Sequence, residues 1–216
     1  MKKENLLTFW GWTRQDTSYK GLIKKAPEDW DIFTLNFEEL VKSGWVEKLG
    51  ENVTKFLDEN NLERVNIMGH SMGGALALTY TYLHPERVDR LFLLDASGVY
   101  GNETLPQLAK NFLKSHSLHG RKKAGENLKA IYRAIRRPIA HIKLARYAHK
   151  IDLQEEASSI NTPTIIIWGE SDHLNPLWQG KRLHALIKNS KLVVLPGMDH
   201  DWPLHAPELF WKNIGK

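Results

Sequence analysis

The chain has 216 residues, no cysteine and a formal net charge of +5. This length fits one domain with room for an inserted segment, and it can bury a sizeable core without covalent cross-links. The absence of cysteine excludes disulfides, thiol catalysis and thiolate metal sites, and it is typical of a reducing compartment. Because the longest apolar stretches have the length of strands, the sequence predicts no membrane span and a cytoplasmic protein.

Short apolar runs alternate along the chain with stretches of helical periodicity. Six strands are predicted, at residues 6–10, 31–37, 64–68, 88–94, 164–168 and 191–195. Helices are predicted near residues 19–25, 45–57, 73–83 and 178–187, and a last helix begins at about residue 207. Regular alternation of this kind predicts a mostly parallel sheet with helices on both faces.

The segment from residue 99 to 160 has a different composition. It contains no strand pattern, and between positions 101 and 150 twelve Lys and Arg residues stand against two Glu residues. We predict a helical insertion at 99–160, with 1–98 and 161–216 forming the main unit. Such basic faces are most often solvated surface, and no nucleic-acid-binding motif is present. The alternative is that the charge attracts an anionic carrier or a carboxylate-bearing substrate.

The third strand turns directly into a helix at Gly69-His70-Ser71-Met72-Gly73-Gly74. A G-x-S-x-G run between a strand and a helix predicts a nucleophile elbow, with the hydroxyl of Ser71 raised above the sheet. Gly69 and Gly73 are expected where side chains would collide across the tight turn. The amide of Met72, at the start of the helix, is a ready donor to an oxyanion.

Two later strands end in the groups that would activate a serine. Asp172 follows the fifth strand, and His200 follows the sixth. Neutral imidazole can accept the serine proton, while a carboxylate fixes the tautomer of that imidazole. Asp95, after the fourth strand, is a second candidate acid, but the chain order Ser, Asp, His favours Asp172. His200 and His205 lack the helix and glutamate of a zinc motif, so no metal and no cofactor is predicted.

These motifs resemble the α/β-hydrolase fold family, in particular small capped carboxylesterases such as those that cleave pimeloyl-carrier-protein methyl esters. The resemblance rests on residues 69–74, 84–88, 169–172 and 197–200, and on His205-Ala206-Pro207-Glu208. It implies Ser71 as nucleophile, His200 as base, Asp172 as acid and residues 99–160 as a cap. It also implies the backbone N–H of Trp12 as second oxyanion donor, although Trp10-Gly11 stands where the family has His-Gly. The first two strands of the family are missing.

The function expected from this resemblance is a serine hydrolase that cleaves a small-molecule ester, thioester or lactone through an acyl-enzyme. Relatives that open epoxides or displace halide carry Asp at the elbow, so Ser71 makes those reactions improbable. Two alternatives stay open. One is a non-catalytic receptor for small ligands on the same fold, and the other is a hydrolase of anionic carrier or CoA esters guided by the basic insertion.

Overall fold

The structure is a computed structural model, and it describes residues 3–11, 18–35, 45–99 and 151–215. The strands in these ranges are β1 (Glu4–Phe9), β2 (Trp30–Thr34), β3 (Val65–His70), β4 (Val88–Leu94), β5 (Thr164–Gly169) and β6 (Ser190–Leu195). All pairs between neighbouring strands are parallel, and the order across the sheet is β2-β1-β3-β4-β5-β6. The predicted six-stranded parallel sheet is therefore confirmed.

Helices flank the sheet on both faces, as the alternating pattern predicted. Those in the described ranges are α1 (Lys20–Lys24), α2 (Trp45–Glu59), α3 (Met72–Leu83), α4 (Gln154–Ser159), α5 (Leu177–Leu186), α6 (Trp202–His205) and α7 (Glu208–Ile214). Pro85–Arg87 forms one turn of 3-10 helix before β4. No helix in these parts of the chain combines the length and the apolar character needed to cross a membrane.

Successive residues of a strand point to opposite faces of a sheet, and this alternation divides the core in two. Leu7 and Phe9 of β1 pack on the face covered by α2, α3, α4 and α5. The side chain of Leu6, the residue before Leu7, points to the other face of the sheet and packs there with α1, α6 and α7. Every residue of β3 and the last four residues of β4 are buried, as expected for central strands of a parallel sheet that is covered on both faces.

The described residues that precede and follow residues 100–150 meet at one place. The backbone N–H of Leu153 donates to the carbonyl of Gly98 at 2.7 Å, which brings together the two ends of the intervening segment. Ala157 of α4 is buried in the core beside α3 and α5. Residues 100–150, the greater part of the predicted cap, lie outside the described residues, and the division of the chain at 99 and 160 stays a prediction.

Parallel strands end at a common edge of the sheet, and this edge collects the polar residues singled out in the sequence. Ser71 follows β3, Asp95 follows β4, Asp172 lies three residues after β5, and His200 lies five residues after β6. The register pairs the last residue of β3 with Leu94, the last residue of β4. Four loops that are distant in sequence therefore meet above the middle of the sheet.

Candidate active site

Ser71 occupies a strained turn between β3 and α3. Its backbone has a φ of 56° and a ψ of −124°, a region that residues with a side chain rarely adopt. A Cβ atom on Gly69 would lie 2.4 Å from the carbonyl oxygen of Gly73, and a Cβ on Gly73 would lie 2.1 Å from that of Phe9. Only glycine fits at either position, because the elbow packs its backbone directly on β1.

Ser71, His200 and Asp172 form a continuous chain of hydrogen bonds. The Oδ2 atom of Asp172 lies 2.6 Å from His200 Nδ1, and His200 Nε2 lies 2.9 Å from Ser71 Oγ. A carboxylate can only accept, so Nδ1 carries the proton and Nε2 keeps its lone pair. The hydroxyl of Ser71 therefore donates to Nε2. This arrangement can remove a proton from the hydroxyl and make it a nucleophile.

The Asp172 carboxylate is fixed by its own loop. Its Oδ1 atom accepts hydrogen bonds from the backbone N–H groups of Leu174 at 2.7 Å and Asn175 at 2.9 Å, while Oδ2 faces His200. The side chain is fully buried, so these donors replace the water that a carboxylate would otherwise bind. Both oxygens are thereby held in place, and the imidazole of His200 is oriented through them.

Asp95, the second candidate acid, lies beside Asp172 but has other partners. Its carboxyl group accepts hydrogen bonds from the backbone N–H of Gly169 at 2.8 Å and from the indole N–H of Trp202. The pKa of Asp95 is raised well above its ordinary value, first because burial penalises the charged form and second because the Asp172 carboxylate is near. No direct hydrogen bond joins Asp95 to His200 in the described residues, so geometry favours Asp172 as its partner.

Asp95, Asp172 and His200 are also the one group of side chains in the described ranges spaced as metal ligands could be. One ligand atom from each lies within 4.8 Å of the others. However, Asp172 and His200 bind each other, and both oxygens of Asp95 accept hydrogen bonds from protein donors. A cation here would have to displace these bonds, so the arrangement is that of a hydrogen-bonded network.

Of the two predicted oxyanion donors, Met72 lies within the described residues and Trp12 does not. Met72 is the first residue of α3, where backbone N–H groups lack an acceptor within the helix. A Cβ on Gly11 would lie 3.3 Å from the Cβ of Ser71, so the end of β1 touches the elbow. Trp12 itself lies outside the described residues, and its role stays a prediction.

Comparison with known proteins agrees with this architecture. The sequence model of the family described as alpha/beta hydrolase fold matches residues 43–118. The crystal structure of a membrane phospholipase A, described as a bacterial virulence factor, superposes with a TM-score of 0.82 at 20% identity and covers 99% of this chain and 78% of that one. The chain has the α/β-hydrolase fold. The fold that the sequence motifs predicted is thereby confirmed.

Two curated relatives of the chain are named hydrolases. An uncharacterized hydrolase, YugF, from Bacillus subtilis is 26% identical over 98% of this chain and 89% of its own length. A 2-hydroxy-6-oxononadienedioate/2-hydroxy-6-oxononatrienedioate hydrolase from Cupriavidus pinatubonensis is 27% identical over 76% of this chain and 65% of its own length. The chain thus spans slightly less than two thirds of the second relative. The narrower resemblance to pimeloyl-carrier-protein esterases stays a prediction.

His70, beside the candidate nucleophile Ser71, is a buried hydrogen-bonding residue. Its Nε2 atom lies 2.9 Å from the backbone carbonyl of His200, and its Nδ1 atom lies 2.5 Å from the hydroxyl of Tyr19. Burial, and then the charge of His200, lower the pKa of His70 to about 3. The ring is therefore neutral at physiological pH.

Three tryptophans, Trp10, Trp178 and Trp202, have different environments. Trp10 is buried and stacks on Tyr19, with ring centroids 4.0 Å apart, and Trp202 is buried with its indole on Asp95. Trp178 lies on α5 with 42% of its surface exposed. Trp10 and Trp202 are thus buried residues that support the candidate site. Trp178 differs from both because its side chain is exposed to solvent.

Two supporting residues were not identified from the sequence as part of the site. Residue 19 was predicted only as the start of a short helix, and Asn175 was given no role. The side-chain amide of Asn175 donates to the carbonyl of Asp95 at 2.7 Å, which ties the loop after β5 to the end of β4. A buried side-chain amide that joins two loops leaves no local pattern in the sequence. The aromatic residues on either side of Gly11 are a weak indication of a packed region.

Proposed function

We propose that this α/β-hydrolase is a serine hydrolase that cleaves a carboxylic ester, thioester or lactone through an acyl-enzyme. The observation that supports the proposal is the hydrogen-bonded chain from Ser71 Oγ through His200 to Asp172, with distances of 2.9 and 2.6 Å. Its three members come from three loops, and each atom has the donor or acceptor role that the reaction requires.

In the first half-reaction, His200 Nε2 takes the proton of Ser71 as Oγ attacks the carbonyl carbon. The carbonyl oxygen becomes negative and accepts hydrogen bonds from backbone N–H groups, for which Met72 and Trp12 are the candidates. When the bond to the leaving group breaks, His200 returns the proton to the departing oxygen or sulfur. Asp172 keeps the imidazole oriented and stabilises its positive charge. Water then repeats these steps on the acyl-enzyme, which releases the acid and restores Ser71.

A fluorophosphonate probe and a panel of p-nitrophenyl esters test this proposal together. Intact-protein mass should show one adduct, mapping to Ser71, and Ser71→Ala should lower kcat by several orders of magnitude. Activity should rise between roughly pH 5 and 8, since only neutral imidazole can act as base. An active enzyme labelled at another residue would contradict the assignment. Complete absence of turnover and labelling would instead favour the receptor function.

A second candidate substrate class is suggested by the names of the relatives. The Cupriavidus protein is named for 2-hydroxy-6-oxo dienedioates, which carry carboxylates and a ketone rather than an ester. The same serine could attack that ketone carbon, which an ester panel would not reveal. A 2-hydroxy-6-oxo dienoate, followed by its absorbance, should therefore be assayed beside p-nitrophenyl esters and acyl lactones. The substrate with the highest kcat/KM decides between the classes.

A further inference from the structure

A buried chain of hydrogen bonds connects the loop after β1 with the loop that carries His200. Gly11 N lies 3.3 Å from the hydroxyl oxygen of Tyr19, and that oxygen lies 2.5 Å from His70 Nδ1. On the other side of the ring, His70 Nε2 lies 2.9 Å from the backbone oxygen of His200. We call these four groups the Tyr19–His70 relay. The His70 ring also lies against the imidazole ring of His200, with centroids 5.0 Å apart.

The direction of every bond in the relay follows from its ends. The carbonyl of His200 can only accept, so the proton of the His70 ring is on Nε2 and Nδ1 has a lone pair. The Tyr19 hydroxyl therefore donates to Nδ1. Its oxygen is then available to accept the N–H of Gly11, which can only donate. Each bond has one donor and one acceptor only when His70 is neutral, and its lowered pKa of about 3 agrees with this state.

The relay is rigid because its members are packed as well as hydrogen-bonded. Tyr19 is 0% exposed and His70 is 1% exposed. The ring of Tyr19 lies against Trp10 with an interplanar angle of 11°, and it meets the His70 ring edge to face at 5.7 Å. A Cβ on Gly11 would contact His70 Nδ1 and Ser71 Cβ, each at 3.3 Å. The backbone at Gly11 is therefore held against the elbow itself.

We propose that Tyr19 and His70 are positioning residues, which hold the backbone after β1 and the backbone of His200 in register with Ser71. This inference rests on the proposed hydrolase function. Gly11 directly precedes Trp12, the candidate oxyanion donor, and His200 carries the base. Stabilisation of an oxyanion depends on donors placed within a few tenths of an ångström, so loss of the relay should reduce transition-state stabilisation more than substrate binding.

Tyr19→Phe removes one oxygen atom from the relay and keeps the stacked ring. We expect kcat for p-nitrophenyl acetate to fall about tenfold with KM nearly unchanged, which corresponds to one buried hydrogen bond lost in the transition state. Tyr80→Phe is the matched control. Tyr80 is equally buried, and its hydroxyl lies 3.2 Å from Oγ1 of Thr54 on α2. Its kcat should stay within twofold of wild type.

Two substitutions of His70 separate the halves of the relay. In His70→Gln the side-chain amide can still reach the carbonyl of His200 but offers Tyr19 no acceptor at the position of Nδ1. His70→Asn presents its oxygen to Tyr19 and cannot reach His200. Tyr19→Phe should therefore lower kcat about tenfold in the His70→Asn background and less than twofold in the His70→Gln background. Equal losses in both backgrounds would overturn the relay.

The wild-type protein distinguishes failure of this inference from failure of the proposed function. If wild type neither hydrolyses p-nitrophenyl acetate nor reacts with a fluorophosphonate, the proposed function is wrong. If wild type is active and Tyr19→Phe retains its kcat, the relay has no positioning role. A loss that Tyr80→Phe shares, or one confined to KM, also overturns the inference. These comparisons need only the two tyrosine variants, so they stand even if a His70 variant fails to fold.

Discussion

Replacement of His70 by asparagine should change the response of the fold to acid. In the folded chain the pKa of His70 is about 3, against an ordinary value of 6.5, because the ring is buried and lies near His200. Below pH 6.5 the unfolded chain therefore binds a proton at His70 that the folded chain does not bind until the pH approaches 3. The stability contributed by neutral His70 is complete above pH 6.5 and is lost as the pH falls toward 3.

The size of this effect follows from the two pKa values. At pH 4.5, wild type should have lost about 2.7 kcal/mol of unfolding free energy through this one residue, and at pH 5.5 about 1.4 kcal/mol. The His70→Asn variant has no imidazole to protonate at this position, so it loses none of this unfolding free energy. The variant should be less stable than wild type at pH 7.5, because it forfeits buried hydrogen bonds, but its deficit should shrink by about 2.7 kcal/mol on going to pH 4.5.

Urea unfolding followed by tryptophan fluorescence at pH 7.5, 5.5 and 4.5 measures this difference. Both proteins carry the same carboxylates, so their other acid titrations largely cancel in the comparison. His184→Asn, which removes an exposed imidazole on α5, serves as the control for loss of a histidine side chain. A deficit of His70→Asn that stays constant within about 0.5 kcal/mol from pH 7.5 to 4.5 would show that His70 is not held neutral by burial.

Four further outcomes are expected. Asp172→Asn should lower kcat by about 10³–10⁴-fold with little change in stability, whereas Asp95→Asn should lower it far less; the reverse ranking in steady-state assays would make Asp95 the acid. The pKa of Asp95 is raised, so above roughly pH 4 the folded chain keeps a proton on Asp95 that the unfolded chain releases. The stability of wild type should fall as the pH rises for this reason, and that of Asp95→Asn should not. Urea unfolding should therefore show Asp95→Asn gaining stability relative to wild type as the pH rises. Gly73→Ala should prevent folding or lower the melting temperature strongly, since its Cβ would lie 2.1 Å from a backbone oxygen of β1, whereas Gly197→Ala, with no atom within 4 Å, should cost only the strain of its φ of 66°. If the basic segment 101–150 guides anionic substrates, raising salt from 0.02 to 0.5 M should lower kcat/KM for an anionic ester and not for a neutral ester of the same acyl chain, and equal responses would exclude guidance.

The sheet was predictable because burial on both faces leaves a strong local signal. β4 was predicted with the bounds that the structure shows, Val88–Leu94, and β5 and β6 within one residue. The second strand was predicted to reach Phe37 but ends at Thr34, and residues 36–44 lie outside the described ranges. Apolar runs thus locate strands well, while strand ends depend on neighbours that a sequence does not display.

Short helices were harder to predict than strands. α4 has six residues and buries one of them, Ala157, so no repeat at helical spacing can develop. α6 is a single turn whose start is marked by Pro203 near its N-terminus, a signal that was available but not used. Both helices are stabilised by contacts with distant elements, and their own sequences contribute little.

The candidate site divides in the same way. Ser71 was found from a local motif, while Asp172 and His200 followed from chain order and from the ends of parallel strands. Tyr19 could not be found in this way, because its contact with His70 joins residues 51 positions apart and depends on the path of the loop after β1. Residues that react are confined to strand ends by the fold, whereas residues that support them can come from any packed surface.

The backbone of Ser71 also constrains how this protein could be improved by selection. Strain at such angles is about 1–3 kcal/mol, whereas the extra freedom of a glycine in the unfolded chain costs about 1 kcal/mol or less. Ser71→Gly should therefore melt at a higher temperature than the parent while carrying no nucleophile. A library selected for thermal stability or soluble yield alone would therefore accumulate inactive variants at this position. Directed evolution of a more stable protein must measure turnover in every round.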